Sequence, residues 1–394
     1  VTALGLGLWV LAPKATVLET PLPGEPDVAL AVFAPLPKGF GERDRQRLAV
    51  AVRVLADGTQ EYSRRLVFDV TDGRSVQAAL LPDGVVLRLV APKANLANAV
   101  AIVEGLLRRP LVDATSLDRS LRRIQRGEPG YWSAALRSER NDLKRITVTE
   151  ARAVLTRVFD PSRIAVAAIG GFEPGAPTRA WEQRTADWKP VLAPRYPDNT
   201  LAPEPTTNPS GITTVELRGA PMALSDPALP ARWLALIGLG VGKGSALFRD
   251  VRQAEAWSYR QEAILWPDPQ GLVPRLVAAA APEEGEAARA EGLRTTLRRA
   301  VAAWTDADRV RALGIVSLVL ENGKPLGPLW IADAPVGATL ADRAMLDAYW
   351  WAKGGVRWDA KRLLESMRAV SLETMKAEAD ALLADSKAIV LPGG

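Results

Sequence analysis

The chain contains no cysteine and no histidine. These two absences exclude disulfides, thiolate nucleophiles, Cys/His zinc sites, Ser-His-Asp triads and HExxH metal sites formed by this chain alone. No run reaches the ~18 apolar residues that a membrane-crossing helix needs, so no membrane partner is expected. Charge of one sign is also scarce. Fifty Lys+Arg against 45 Asp+Glu leave a net charge of only +5 over 394 residues. The densest basic cluster, Arg119, Arg122, Arg123 and Arg126, has Asp118 beside it and reads as a solvated helix face. No nucleic-acid partner is expected. What remains for chemistry is carboxylates, Lys, Arg, Tyr, Ser, Thr and backbone groups.

What is present is globular: 48% hydrophobic and 24% charged residues, in a chain long enough for two or three domains. At Val1–Ala12, Leu4, Leu6 and Leu8 alternate with Gly5 and Gly7 and no basic stretch precedes them. This reads as a first strand rather than a signal peptide. The expected location is cytoplasmic, or periplasmic if a leader was removed ahead of Val1.

A Pro-rich stretch from Pro190 to Gly211 carries six prolines and no apolar period. It reads as a linker (191–211) between two domains, 1–190 and 212–394. The two sides repeat each other. GVVLRLVA opens at Gly84 and GLVPRLVA at Gly271, 187 positions later, and both read as strands. Pro274 pushes the second toward a sheet edge or bulge. Each is followed by a helical pattern: Leu96, Val100, Val103 and Leu107 in the first, and about Glu284 to Trp304 in the second. ITVTEARAVLTRVFDPSRIAVAAIGG (from Ile146) parallels AVSLETMKAEADALLADSKAIVLPGG (from Ala369), with Thr147 and Ser371, 224 positions apart, at the helix starts. Thr147 with Glu150 spells a capping box. The second half is therefore the longer between these landmarks. Each half is expected to be α+β, an antiparallel-rich sheet with helices packed on one face.

The most informative segment is GLGVGKGSALFRDVRQAEAWSYRQEAIL, from Gly238. Gly238, Gly240, Gly242 and Gly244 read as a glycine-rich turn able to expose backbone N–H groups. Ser245 follows, then Leu247, Phe248 and Val251 on a helix, Arg252 near its end, and Tyr259 seven residues on in an expected strand. The P-loop pattern GxxxxGK[ST] is not met, since Gly244 follows Lys243.

This segment resembles the C-terminal domain of the M16 family, which includes pitrilysin and the mitochondrial processing peptidase. Gly242, Ser245, Leu247, Phe248, Arg252 and Tyr259 match its pattern position by position. The duplication and the linker extend the resemblance over essentially the whole chain. It implies two homologous M16-type domains. Catalytic members carry HxxEH on a first-domain helix, followed by Gly-Thr, and hold Zn²⁺ there. Here the helix reads RLAVAVRVLADGT, ending at Gly58 and Thr59. Ala49, Val52 and Arg53 stand at the motif positions, or Val50, Arg53 and Val54 after a one-residue shift. Neither register supplies a ligand or a general base. Glu128 falls near the family's downstream Glu, and one carboxylate does not hold zinc.

The resemblance thus implies a non-catalytic subunit, with no cofactor of its own, that pairs with an HxxEH-bearing M16 subunit holding the zinc. Together they would process a peptide, a pyrroloquinoline quinone precursor being one candidate. Gly242, Gly244, Ser245, Arg252 and Tyr259 are its expected substrate-binding residues. Arg252 would hold a substrate carbonyl or carboxylate, and Tyr259 would donate to the developing oxyanion. The alternative is an assembly protein resembling respiratory-complex core subunits, with no peptide role.

Other features read as structural. Trp330, Trp350, Trp351 and Trp358 gather in the longer part of the second half and suit buried anchors or a subunit interface. The acidic pairs Glu283–Glu284 and Asp306–Asp308 suit helix starts.

Overall fold

The computed structural model describes residues 15–37, 40–81, 83–125, 146–189, 213–254, 261–268, 270–279, 286–322 and 339–391. The strand expected at Val1–Ala12 and the linker from 191 to 211 lie outside them; the first described strand is β1 (Thr16–Pro21).

The first sheet comprises β1, β2 (Asp27–Pro35), β3 (Gln77–Leu81), β4 (Gly84–Pro92) and β5 (Ala165–Gly170), in the order β1-β5-β2-β4-β3. The second comprises β6 (Thr214–Arg218), β7 (Gln261–Asp268), β8 (Gly271–Ala279) and β9 (Lys387–Leu391), in the order β7-β8-β6-β9. Apart from β1, which runs parallel to β5, the orders coincide: β5-β2-β4-β3 matches β9-β6-β8-β7. The register coincides as well. Leu30 faces Leu89, and Leu217 faces Leu276, each residue 187 positions from its counterpart. A register shift would turn every side chain to the wrong face, so this agreement fixes which faces are buried.

Helices repeat in the same way. α1 (Glu42–Val54), α3 (Leu96–Arg108), α4 (Ala114–Gln125) and α5 (Val148–Val158) lie on one face of the first sheet; α2 (Arg64–Val70) and α6 (Ala176–Thr185) flank them. In the second half α7 (Leu229–Gly240), α8 (Glu286–Ala302), α9 (Asp306–Asn322) and α12 (Leu372–Asp385) take the corresponding places. α1 and α7 begin 187 residues apart, without insertion. The expected capping box forms at Thr147 and Glu150. Asp308 likewise accepts from the Thr305 N–H and hydroxyl, the helix-start role read for it.

The extra length of the second half supplies α10 (Leu340–Gly354) and α11 (Ala360–Arg368). α10 crosses to the free face of the first sheet. Alternate residues of β2 therefore enter two cores: Val28, Leu30 and Val32 meet α1, α3 and α5, while Ala29, Ala31 and Phe33 meet α10 and the second half. Small residues on that face let α10 approach closely. Its Tyr349 ring lies 4.7 Å from Phe33 in an edge contact, and Trp350 stacks edge-on with Trp358 at 4.6 Å. These rings are anchors within the chain. The Tyr349 hydroxyl donates to Asp83 (2.9 Å), which Lys353 also reaches (3.1 Å). Burial pushes the Asp83 carboxyl up, with Lys353 and Tyr349 opposing it.

One local expectation changes. β8 is an interior strand, between β7 and β6, although it carries Pro274. The Pro274 carbonyl accepts from the Gly219 N–H (2.9 Å), one residue past the end of β6. Arg218 faces Arg275, so Gly219 faces Pro274; the reciprocal bond of that pair is the one the proline cannot make, and β6 ends there.

Candidate functional site

In the first half the site would lie at the end of α1. Ala49 is 0% and Val52 2% exposed, both in the apolar core; Val50 and Val54, from the other register, are buried too. Arg53 folds back to donate to the Ala49 carbonyl (2.8 Å). Aliphatic side chains and a guanidinium offer no electron pair to zinc, and a cation at this point repels a dication. The residues do not fit the metal. Among the described residues no group of three His, Cys, Asp or Glu could hold an ion. Glu128 lies outside them.

The Gly-Thr after this helix has become structural. Gly58 has φ +105°, and a Cβ there would overlap the Tyr62 carbonyl oxygen. The Thr59 hydroxyl accepts from the N–H groups of Glu61 (3.1 Å) and Tyr62 (2.8 Å). The end of the helix is closed by bridges from Gly58 to Ser63 and from Thr59 to Pro110.

In the second half the four glycines divide into two pairs, not one turn. Gly238 and Gly240 belong to α7, where they permit close packing: Met375 Cε would lie 2.5 Å from a Cβ at 238, and the Ala263 methyl would overlap one at 240. The turn itself runs from Val241 to Ser245. Gly242 is exposed with φ +78°, which favours glycine. Gly244 sits against the Arg311 side chain, whose Cδ would be 2.5 Å from an added Cβ.

Ser245 is corrected from the expected substrate-binding role. It is fully buried, its hydroxyl donates to the Gly242 carbonyl (2.8 Å), and its N–H reaches the same oxygen (3.1 Å). It ties the turn together and presents nothing outward.

Beyond the turn, Leu247–Ala254 forms a π-helix, with wide i→i+5 turns, in place of an α-helix. Leu247 and Val251 are buried, and Phe248 is half-buried. The Arg252 guanidinium lies over the Phe248 ring, 5.1 Å from its centroid. Tyr259 lies outside the described residues, so the Arg252–Tyr259 pairing has no geometry here.

Arg311, on α9, was not a sequence candidate. It donates to the carbonyls of Val241 (2.9 Å) and Gly238 (3.2 Å), satisfying the open end of α7. Burial pushes its guanidinium below the usual arginine range. Beside it, Arg249 pairs with Asp308 at 3.2 Å. Nothing in local spacing links residues so far apart, so only the folded chain reveals this support.

No family model matches the sequence, and no curated protein matches it. Solved structures do match. A protease from Helicobacter pylori superposes with a TM-score of 0.67 at 11% identity, covering 96% of this chain and 97% of its own. A peptidase M16 inactive domain from Pseudomonas fluorescens gives 0.67 at 16% identity, covering 97% and 96%. The first half of the periplasmic protease PqqL from Escherichia coli gives 0.62 at 11% identity, covering 97% and 90%. The fold of this chain is therefore the M16-like fold.

Proposed function

We propose that this chain is a non-catalytic, substrate-binding subunit that works beside an HxxEH-bearing M16 subunit to process a peptide. The observation that carries this reading is a contrast within one fold. The α1 end, where the family binds zinc, is filled by Ala49, Val52 and Arg53, whereas the turn at Gly242 stays exposed and leads into the helix that carries Arg252. Zinc and its activated water would come from the partner. Arg252 would hold a substrate carbonyl or carboxylate through its planar donor fork. Tyr259 would donate to the oxyanion that forms as water attacks the peptide bond. No described helix is long and apolar enough to cross a membrane, which accords with action on a dissolved peptide.

The test is reconstitution. The purified chain alone, with or without Zn²⁺, is expected to hydrolyse no peptide, and mixing with a zinc-bearing M16 subunit to produce activity. Tyr259→Phe is expected to lower kcat by about 100-fold while leaving complex formation intact. Robust hydrolysis by the isolated chain, or full turnover with both Tyr259→Phe and Arg252→Ala, overturns the reading.

A further inference from the structure

Helix α9 is apolar on two sides. Its inner row, Ala312, Val316 and Val319, is buried against the core. Its outer row carries Val310 and Leu318, 54% and 47% exposed, with Gly314 midway between them. Nothing lies within 4 Å of where a Gly314 Cβ would sit, so packing within this chain does not require glycine there. Glycine inside a helix costs about 1 kcal/mol relative to alanine. The corresponding helix of the first half, α4, turns Asp118 and Arg122 outward instead, and the two pair with each other. An apolar outer face is thus no requirement of the fold.

The candidate turn lies beside this face, against the neighbouring row of Arg311 and Ile315. Ile315, adjacent to Gly314, has its Cδ1 3.7 Å from the Cβ position of exposed Gly242. Next to Gly242 stands Lys243, also exposed, and Arg252 lies on the π-helix that follows. Among the described residues, no carboxylate forms an ion pair with Lys243 or Arg252. The surface therefore has an apolar strip, dented at Gly314, with the exposed Lys243 of the turn at its side.

We infer that the outer face of α9 is a docking strip for the peptide substrate, and that it selects peptides bearing apolar side chains next to acidic residues. This rests on the proposed function and names its substrate class. Val310 and Leu318 are eight residues apart, so the strip is ~12 Å long at 1.5 Å per helical residue. About four residues of extended peptide span that length. An apolar side chain seats over Gly314 between Val310 and Leu318, removing apolar surface from water on both partners. A carboxylate next to it meets Lys243 at the side of the strip, which favours acidic flanks and rejects basic ones.

The experiment uses the full chain and three fluorescein-labelled synthetic peptides read by fluorescence anisotropy: a Leu-Ala-Leu core with Glu flanks, the same core with Lys flanks, and a Ser-Ser-Ser core with Glu flanks. The Glu-flanked apolar peptide is expected to bind at least about tenfold more tightly than either control. Leu318→Glu, at an exposed site that leaves the melting curve unchanged, is expected to remove that binding, and Lys243→Glu to erase the preference for Glu flanks. Equal affinity for the two flanks, no binding of any peptide, unaltered binding by Leu318→Glu, or occupation of the face by a second copy of the chain overturns the inference. Reconstitution separates its failure from that of the underlying reading. A chain that supports a zinc partner without any flank preference loses only the docking strip. A chain that binds the peptide yet never supports hydrolysis loses the subunit role.

Discussion

Helices α1 and α7 start 187 residues apart, lie against equivalent strands, and end in opposite ways. The end of α1 is shut: Arg53 folds onto Ala49, and Gly58 and Thr59 are bridged to their neighbours. The end of α7 opens into a turn with Gly242 exposed, held from behind by Arg311. Their partners differ just as much. α1 is pinned to α5 by charge, with Arg47 on Glu150 (3.0 Å) and Arg157 on Asp44 (2.8 Å). α7 is held to α12 by one ion pair, Arg232 on Glu378 (2.7 Å), and by close apolar approach, Gly238 against Met375. Strand order and register, which sheet burial enforces, are thus the same in the two halves, while the contacts between helices differ. Buried ion pairs and glycine contacts both hold two helices together. The first must satisfy desolvated charge, and the second must keep Cβ atoms away.

The comparison breaks most sharply at Arg53 and Gly240, which are equivalent positions. Gly240→Val drives a side chain into Ala263 of β7, and the loss of stability is expected to reach about 3 kcal/mol. Arg53→Gly removes a half-buried cation from a helix end and is expected to cost about 1 kcal/mol. Urea midpoints of the two variants check this; equal losses would show that the two helices meet their sheets alike.

Much of this fold is legible in the sequence, for identifiable reasons. GVVLRLVA and GLVPRLVA are both strands, and Thr147–Glu150 is a capping box, because turn glycines and cap residues act locally. The helix expected at about Glu284–Trp304 spans Glu286–Ala302. Legibility fails where the deciding neighbour is distant. Four glycines at alternate positions look like one turn, and only Met375 and Ala263 reveal that two of them are packing residues. Ser245 keeps its family position but spends its hydroxyl on Gly242. Pro274 suggests an edge strand, because the sequence does not say that β6 stops one residue earlier. Nor does it say that α10 will cover the first sheet, or that Arg311 will brace the turn. At the candidate site the empty zinc positions are readable from residue types alone, while the division of labour among the glycines is not.

A smaller effect tests whether α1 can take a carboxylate among its aliphatic neighbours. Val52→Glu introduces a carboxylate at a site only 2% exposed among aliphatic neighbours. An unpaired carboxyl there is expected to cost about 2 kcal/mol and to gain no zinc, since neither flanking position offers a ligand. Burial raises such a group's pKa, so the deficit is expected to shrink on acidification. Thermal melts at neutral and acid pH, with zinc titration by calorimetry, check both points. A variant as stable as the parent would mean that α1 has room its packing does not suggest.

The smallest effect concerns the equivalent helices α5 and α12. α5 starts with Thr147 and Glu150 capping each other, and α12 with Ser371, which has Thr374 in place of the glutamate. Burial alone would raise the Glu150 pKa. The Thr147 N–H and hydroxyl, and then Arg47, outweigh it and hold the carboxyl below its ordinary 4.5. A lowered folded-state value means that Glu150 contributes stability above that ordinary value and loses it as pH falls through the lowered one. Glu150→Gln keeps a capping amide but gives up the charge facing Arg47. Its deficit is expected to be below about 1 kcal/mol at neutral pH and to close in acid. Thr374→Glu offers α12 the same reciprocal cap, and is expected to add a few tenths of a kcal/mol near neutrality, fading over the same acid range. Urea midpoints at neutral pH and at about pH 3 measure both differences. Should the Glu150→Gln deficit persist unchanged in acid, the carboxylate's charge would contribute nothing, and the Arg47–Glu150 pair would not be what distinguishes the α1–α5 contact from the α7–α12 contact.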